Sequence, residues 1–277
     1  MSKRETLTLE INNRCNLFCN ECAYKTLYSS TTTHELSVEQ IRRILSLGKE
    51  YGFKRLRILG MAEPTLHSDF SNVINEIKKW SCFWTHIFTN GTTLCNPQVF
   101  NSLLYSDINL IEFSLDAFTI EKYHLIRSNR FDFDTIVNNI ILFKKSLSKK
   151  SSEVAVSFVL HPESLNEVKM FKDFWAGKVD RVIFRKPHNF SNYSTSLLSQ
   201  QNFHEHGKEH ECEFLIKKSF VDCEMNVHLC KMDFENQFII GNIAYNSFDE
   251  VYSSKEYYSK LNSQARILKC TYCSGCD

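Results

Sequence analysis

The chain has no apolar run long enough to cross a bilayer: its longest, such as residues 154–160, fall far short of the roughly 20 residues a spanning helix needs. Its opening residues, Met1-Ser2-Lys3-Arg4-Glu5, lack the apolar stretch of a secretory signal. Nor is there an excess of either charge. Lys and Arg number 33 against 32 Asp and Glu, a net charge of +1, with both signs mixed along the chain. Such a surface points to neither nucleic acid nor an anionic membrane as the main partner. These absences leave a cytoplasmic protein as the expectation. With 277 residues, 43% of them hydrophobic and 22 of them phenylalanine, the chain can bury a full core, which excludes disorder.

What is present in excess is cysteine, with eleven residues. In a chain without an export signal thiols stay reduced, so the count points to metal rather than to disulfides. Nine of the eleven lie in the first loop or after residue 211, which suggests two metal sites. Cys82 and Cys95 read as ordinary packed thiols. The first group is the C-x3-C-x2-C of Cys15, Cys19 and Cys22, carried by a loop after a short strand. Three thiolates this close can wrap one face of a 4Fe-4S cube and leave one iron without a protein ligand. An open coordination position is what a metal needs in order to act on a bound molecule. A zinc knuckle or a disulfide set is the alternative use of the same residues.

The cysteine loop resembles that of the radical S-adenosylmethionine (SAM) enzymes. The resemblance implies that SAM chelates the open iron through its amino and carboxylate groups. An electron from the reduced cluster then cleaves the sulfonium to a 5'-deoxyadenosyl radical. One departure is Glu21, where an aromatic residue is common in the family.

The rest of the first 190 residues alternates strands and helices. Strands are expected at the first loop and over 55–59, 85–89, 110–115, 154–160 and 181–184, the first five each followed by a helical segment. Ser37-x-x-Gln40 reads as a capping box, Asp134 as a helix cap, and Ser164-x-x-Glu167 as the start of a helix with Leu165 in its apolar stripe. Alternation of this kind implies an α/β fold, a parallel sheet with right-handed crossovers, closed part-way into a (β/α)6 barrel. Function then belongs at the carboxyl ends of the strands. Motifs of the radical SAM core fall there. In Gly60-Met61-Ala62-Glu63-Pro64 the resemblance implies that Glu63 accepts from the SAM ammonium group. Asn90 of Thr89-Asn90-Gly91, and Ser114 and Asp116 of Ser114-Leu115-Asp116, would hydrogen-bond the ribose or the substrate. Arg127 would pair with the SAM carboxylate. A solvated loop glutamate and a surface arginine are the plain alternatives.

From about residue 190 the pattern changes, and a polar stretch over 191–202 suggests a bridge out of the barrel. Residues 1–190 are read as the core and 191–277 as a second, iron-sulfur domain. The latter holds Cys212, Cys223, Cys230, Cys270, Cys273 and Cys276, with short strands near 226–230 and 238–243 and helical segments near 248–252 and 256–265. It resembles the SPASM/twitch extension of radical SAM enzymes, with Cys230-Lys231-Met232-Asp233 and Ile240-Gly241-Asn242 as the matching signature. Ending after C-x2-C-x2-C, it looks like the shortened form with one auxiliary 4Fe-4S cluster. Cys212, Cys230 and Cys273 are its expected ligands, with Cys270 the fourth and Cys276 its competitor; Cys223 is read as a bystander. A zinc site from His204, His206, His210 and Cys212, or a zinc ribbon from the last six cysteines, is the rival.

Chain length and cysteine spacing resemble members of the family that oxidise a cyclitol alcohol, 2-deoxy-scyllo-inosamine, to a ketone. The expected reaction is therefore hydrogen abstraction from a small polar metabolite, with the auxiliary cluster taking an electron. Peptide modification is the alternative. With the first strand inside the first ten residues, no N-terminal leader-binding domain is expected. A non-catalytic metal-binding module is the third reading. Arg185, Lys186 and His188, after the sixth strand, are candidate substrate contacts, with Asn12 and Asn166 further ones. An electron donor of flavodoxin or ferredoxin type is implied.

Overall fold

Apolar residues at every second position of the strands decide how the sheet lies. Leu7, Leu9, Ile58, Ile111, Val154 and Val156 are all fully buried and belong to one continuous core. The intervening residues of the same strands point to the other face and are largely polar. The structure is a computed structural model that describes residues 4–20, 22–27, 32–147, 152–187 and 213–267.

In chain order the elements are β1 (Thr6–Leu9), α1 (Tyr24–Leu27), α2 (Val38–Tyr51), β2 (Arg55–Ile58), α3 (Phe70–Lys78), β3 (Trp84–Thr89), α4 (Pro97–Leu104), β4 (Leu110–Ser114), α5 (Ile120–Ile126), α6 (Phe133–Ser146), β5 (Glu153–Val159), α7 (Val168–Trp175) and β6 (Arg181–Arg185). They continue with α8 (Glu213–Lys217), β7 (Lys218–Val221), β8 (Asn226–His228), β9 (Ile239–Asn242), α9 (Phe248–Ser253) and α10 (Lys255–Ile267). One nine-stranded sheet runs in the order β6-β5-β4-β3-β2-β1-β7-β8-β9. Neighbours from β6 through β1 to β7 are parallel, and β8 and β9 add an antiparallel hairpin. This is the α/β partial barrel expected from the alternation.

The strand β7 was not anticipated. It pairs with β1 in register Thr6↔Lys218 to Leu9↔Val221, so the sheet continues into the C-terminal third. Arg4 fastens the same junction, donating to the carbonyls of Leu215 and Ile216 and to the Tyr257 hydroxyl.

Local signals mostly hold. Ser37 and Gln40 form the reciprocal capping box, and Gly52 closes α2 with φ 103°, a left-handed conformation that suits glycine. Three readings are corrected. Asp132, not Asp134, caps α6, its carboxylate accepting from the Thr135 amide at 2.9 Å; Asp134 sits in the first turn, where its charge suits the helix dipole. His161 caps a 3-10 turn, Pro162–Glu167, and α7 starts only at Val168, because Glu167 turns inward to accept from the Phe118 amide at 2.7 Å. Leu165 is consequently 51% exposed instead of lying in an apolar stripe. Cys82 and Cys95 are exposed, while Cys223 is buried in the core. Among the described residues no helix is long and apolar enough to cross a membrane.

Candidate cofactor site at the strand ends

The loop after β1 is tied to the ends of β2 and β3 by its own asparagines. Asn12 is buried, donates to the Glu63 carbonyl at 3.1 Å and accepts from the Arg14 amide at 2.8 Å. Asn16 donates to the Thr92 hydroxyl at 2.8 Å and accepts from Asn90 Nδ2 at 3.0 Å. The Tyr24 hydroxyl accepts from the Cys15 amide at 2.9 Å. These contacts add to the loop's backbone bonds, in which the Asn13 amide donates to the His34 carbonyl and the Glu63 amide to the Arg14 carbonyl.

Glu63 is the hub. Its buried carboxylate accepts at Oε1 from the Thr65 hydroxyl and the Thr89 hydroxyl, both at 2.6 Å, and at Oε2 from the Asn90 amide at 2.7 Å. Burial pushes its carboxyl up, against the pull of these donors. Asn90 spends its own amide group on Asn16 and its Oδ1 on Thr92, so it acts as a connector.

Asp116 follows β4 in the left-handed region, φ 62°. It is buried, accepts from the Val159 amide at 2.8 Å, and pairs with Arg127 at 2.5 Å. Arg127, at the end of α5, also donates to Cys19 Sγ at 3.8 Å. Its Nε and the Tyr123 hydroxyl are buried without a hydrogen-bond partner among the described residues. Ser114 sits half-buried at the end of β4, 3.5 Å from the Ser157 hydroxyl.

The three loop thiols fit a cluster. Burial pushes Cys15 and Cys22 each up to about 12, and Cys19 up as well, where Arg127 opposes it. Thiols so placed become ligands only when a cation supplies the charge. Among the described residues no three His, Cys, Asp or Glu converge on a single ion. Ligands that each take a different iron of a cube have no need to. The orphaned Arg127 Nε beside Cys19 fits the carboxylate of a chelating amino acid.

Of the auxiliary residues, Cys230 is described. It packs with Met61 against a small cluster of Ala23, Met232 and Phe234, next to the first cysteine loop. Cys212, Cys270, Cys273, Cys276 and His188 lie outside the described residues, as do His204, His206 and His210. Lys186 is exposed, and Asn166 is exposed on its 3-10 turn. Arg185 is committed to Glu112, its Nη2 donating to both carboxylate oxygens at 2.7 Å.

Glu10 escaped the sequence reading, although Gly60 was its signal. A Cβ at position 60 would stand 2.1 Å from Glu10 Oε1, so only glycine admits this carboxylate, which accepts from the Met61 amide at 2.8 Å. It lines a cavity of about 50 Å³ with Asp222, His228 and Asp233. Burial first, with Asp222 adding and the Met61 amide and His228 opposing, pushes Glu10 up to about 7 from 4.5. Between those values the folded chain keeps a proton that the unfolded chain releases, so stability falls as pH rises through the window. Glu10→Gln, which keeps the amide bond and cannot ionise, is expected to flatten that slope in thermal melts from pH 4.5 to 8. An unchanged slope would acquit Glu10.

A parallel α/β partial barrel with a three-thiol loop at its strand ends defines an iron-sulfur protein of the barrel class. The chain belongs to the radical SAM superfamily, whose match covers residues 9–174, and an iron-sulfur cluster-binding domain matches 212–277. Its cofactors are a 4Fe-4S cluster and SAM, with further iron-sulfur in the C-terminal domain. A probable GTP 3',8-cyclase of Methanocella arvoryzae is 26% identical over 178 residues, 64% of this chain and 52% of the relative. A tungsten-containing aldehyde ferredoxin oxidoreductase cofactor-modifying protein of Pyrococcus furiosus is 32% identical over 112 residues, 40% of this chain and 30% of that protein. The chain thus spans about half the length of the cyclases it matches. Among solved structures, Streptococcus suis SuiB bound to its precursor peptide SuiA superposes with TM-score 0.77 at 16% identity, covering 100% of this chain and 71% of that one. BtrN in complex with AdoMet and 2-DOIA gives 0.59 at 15%, covering 100% and 94%. At these identities the structural likeness shows the fold.

Proposed function

We propose that this radical SAM enzyme is an oxidoreductase that abstracts hydrogen from a small polar metabolite of sugar or cyclitol type. In this reading Cys15, Cys19 and Cys22 hold the catalytic cluster. Cys212, Cys230, Cys273 and either Cys270 or Cys276 hold an auxiliary one, in a domain of residues 191–277 that follows a core of 1–190. When bound, cluster and SAM together supply one-electron cleavage of the sulfonium and so the power to abstract hydrogen, while the auxiliary cluster supplies an acceptor for the second electron.

The observation that carries the reading is the half-buried Arg127, paired with Asp116, touching Cys19, and left with an Nε that is unsatisfied among the described residues. Arg127 would hold the SAM carboxylate through that donor. Glu63 would receive the ammonium at Oε2, which accepts only one bond among the described residues. Asn90 and Asp116 then act by fixing the positions of Asn16 and Arg127, and Ser114 is left to meet the ribose or the substrate. Arg185, Lys186 and His188 are the proposed substrate contacts, and a flavodoxin- or ferredoxin-type protein the electron donor.

A second reading is peptide modification, favoured by the full-length superposition on SuiB, a protein solved with a precursor peptide. Reconstituted, dithionite-reduced protein is expected to form 5'-deoxyadenosine from SAM. Cyclitols and sugar alcohols, but neither a peptide panel nor GTP, should raise that rate well above the substrate-free level and yield a carbonyl product. Stimulation by peptide alone would transfer the assignment to the second reading.

A further inference from the structure

The polar face of the sheet carries a surplus of positive charge that the cofactor site leaves unused. Glu112 of β4 is fully buried and accepts from His86 Nε2 of β3 at 3.0 Å and from Arg185 Nε of β6 at 3.1 Å. Burial pushes the Glu112 carboxyl up, but His86 and Arg185 outweigh it and hold the group below its usual range. Burial also pushes His86 down, against the pull of Glu112. The Glu112 carboxylate is thus committed to His86 and Arg185.

Arg57 of β2 is left over. It is half-buried, its guanidinium carbon lies 4.7 Å from the Phe88 ring centroid, and it forms no hydrogen bond or ion pair among the described residues. Arg185 lies 5.6 Å from the centroid of the same ring. In the sheet β2 and β6 are separated by three strands. At about 4.8 Å per strand their backbones would be about 19 Å apart in a flat sheet, so the two side chains lean toward each other across the face to reach one ring. Burial, and then the neighbouring Arg185, make the charge of Arg57 unfavourable where it stands, with Glu112 opposing them only in part. A cation–π contact recovers little of such a cost.

We propose that Arg57 and Arg185, set about the Phe88 ring on the inner face of the barrel, form an anion site that binds a carboxylate or phosphate group of the substrate. The metabolite is then anionic as well as polar. The inference deepens the oxidoreductase reading and rests on its premise that substrate enters this face. The Arg57 guanidinium suits the task because its paired N–H donors match the oxygens of either anion, while Glu112 holds Arg185 by Nε and Nη2 in one orientation and leaves Nη1 to the ligand.

The test is isothermal titration of the cluster-reconstituted chain, at low ionic strength, with inorganic phosphate, with malonate and with uncharged myo-inositol. One anion is expected to bind where inositol does not, and which of the two binds tells phosphate from carboxylate. Arg57→Gln should weaken that binding at least about tenfold, and Arg57→Lys should restore part of it. Because the Arg57 side chain makes no hydrogen bond among the described residues, its replacement leaves the fold in place, which melting curves of both variants verify. No preference for anions over inositol, or equal binding by Arg57→Gln and wild type, overturns the proposal. SAM cleavage by the wild type is scored separately. Its absence would strike the radical reading while anion binding stood, and the reverse result would strike only the anion site.

Discussion

Replacing Cys15, Cys19 and Cys22 together by alanine is expected to lower reconstituted iron from about eight to about four per chain and to abolish 5'-deoxyadenosine formation. The loop does not need these thiols to hold its shape. Asn12, Asn16 and the Tyr24 hydroxyl, which tie it to Glu63, Thr92 and the Cys15 amide, all survive the substitution. Removing three half-buried thiols takes away no charge pair, so the apo-protein should melt within a few degrees of wild type. The distinguishing readout is therefore iron and acid-labile sulfide, measured anaerobically beside a melting curve. If only about four irons bind to wild type and all are lost in the variant, the C-terminal cysteines hold no cluster. The electron-accepting role proposed for them would fall, although SAM cleavage would survive. If the variant keeps every iron, the N-terminal loop is not the cluster site.

The parts of this fold that repeat were legible in the sequence, and the parts that depend on single long-range meetings were not. Alternating apolar residues placed β1 to β6, and a Ser/Gln pair three residues apart placed the start of α2, because both signals are local. Between Asp132 and Asp134 no local pattern chooses, since either carboxylate could reach an amide of the first turn; the cap is decided by where the chain leaves the preceding bend. The short β7 was hidden by its lysine and serine, which are compatible with a strand only once β1 is available beside it. Glu10, just past β1, and Arg57 of β2 continue the polar alternation, which carries no local sign that the barrel makes that face an interior. Among the motif residues, the long-range meetings were not legible: Glu63 and Asn90 meet each other, and Arg127 meets Asp116 and Cys19.

That prior commitment makes Arg127 the position where one substitution should do most damage. Arg127→Met is expected to destabilise the fold by about 3–5 kcal/mol, since it leaves Asp116 as an uncompensated buried carboxylate. In a chain of this length that corresponds to roughly 10 °C in Tm. Asp116 cannot easily turn to water, because its backbone sits at φ 62° and its other oxygen is held by the Val159 amide. Asn tolerates the left-handed region and carries no charge. Adding Asp116→Asn to Arg127→Met should therefore return a large part of the lost stability, a coupling that a double-mutant cycle by chemical denaturation measures directly. SAM binding should not return with it. The guanidinium that would meet the SAM carboxylate is still gone, so the repaired variant is expected to fold, to load its N-terminal cluster, and to bind SAM at least about tenfold more weakly than wild type. Recovery of both properties in the double variant would reduce Arg127 to a structural partner of Asp116. Recovery of stability alone would separate its two duties, holding the end of β4 in place and receiving the cofactor.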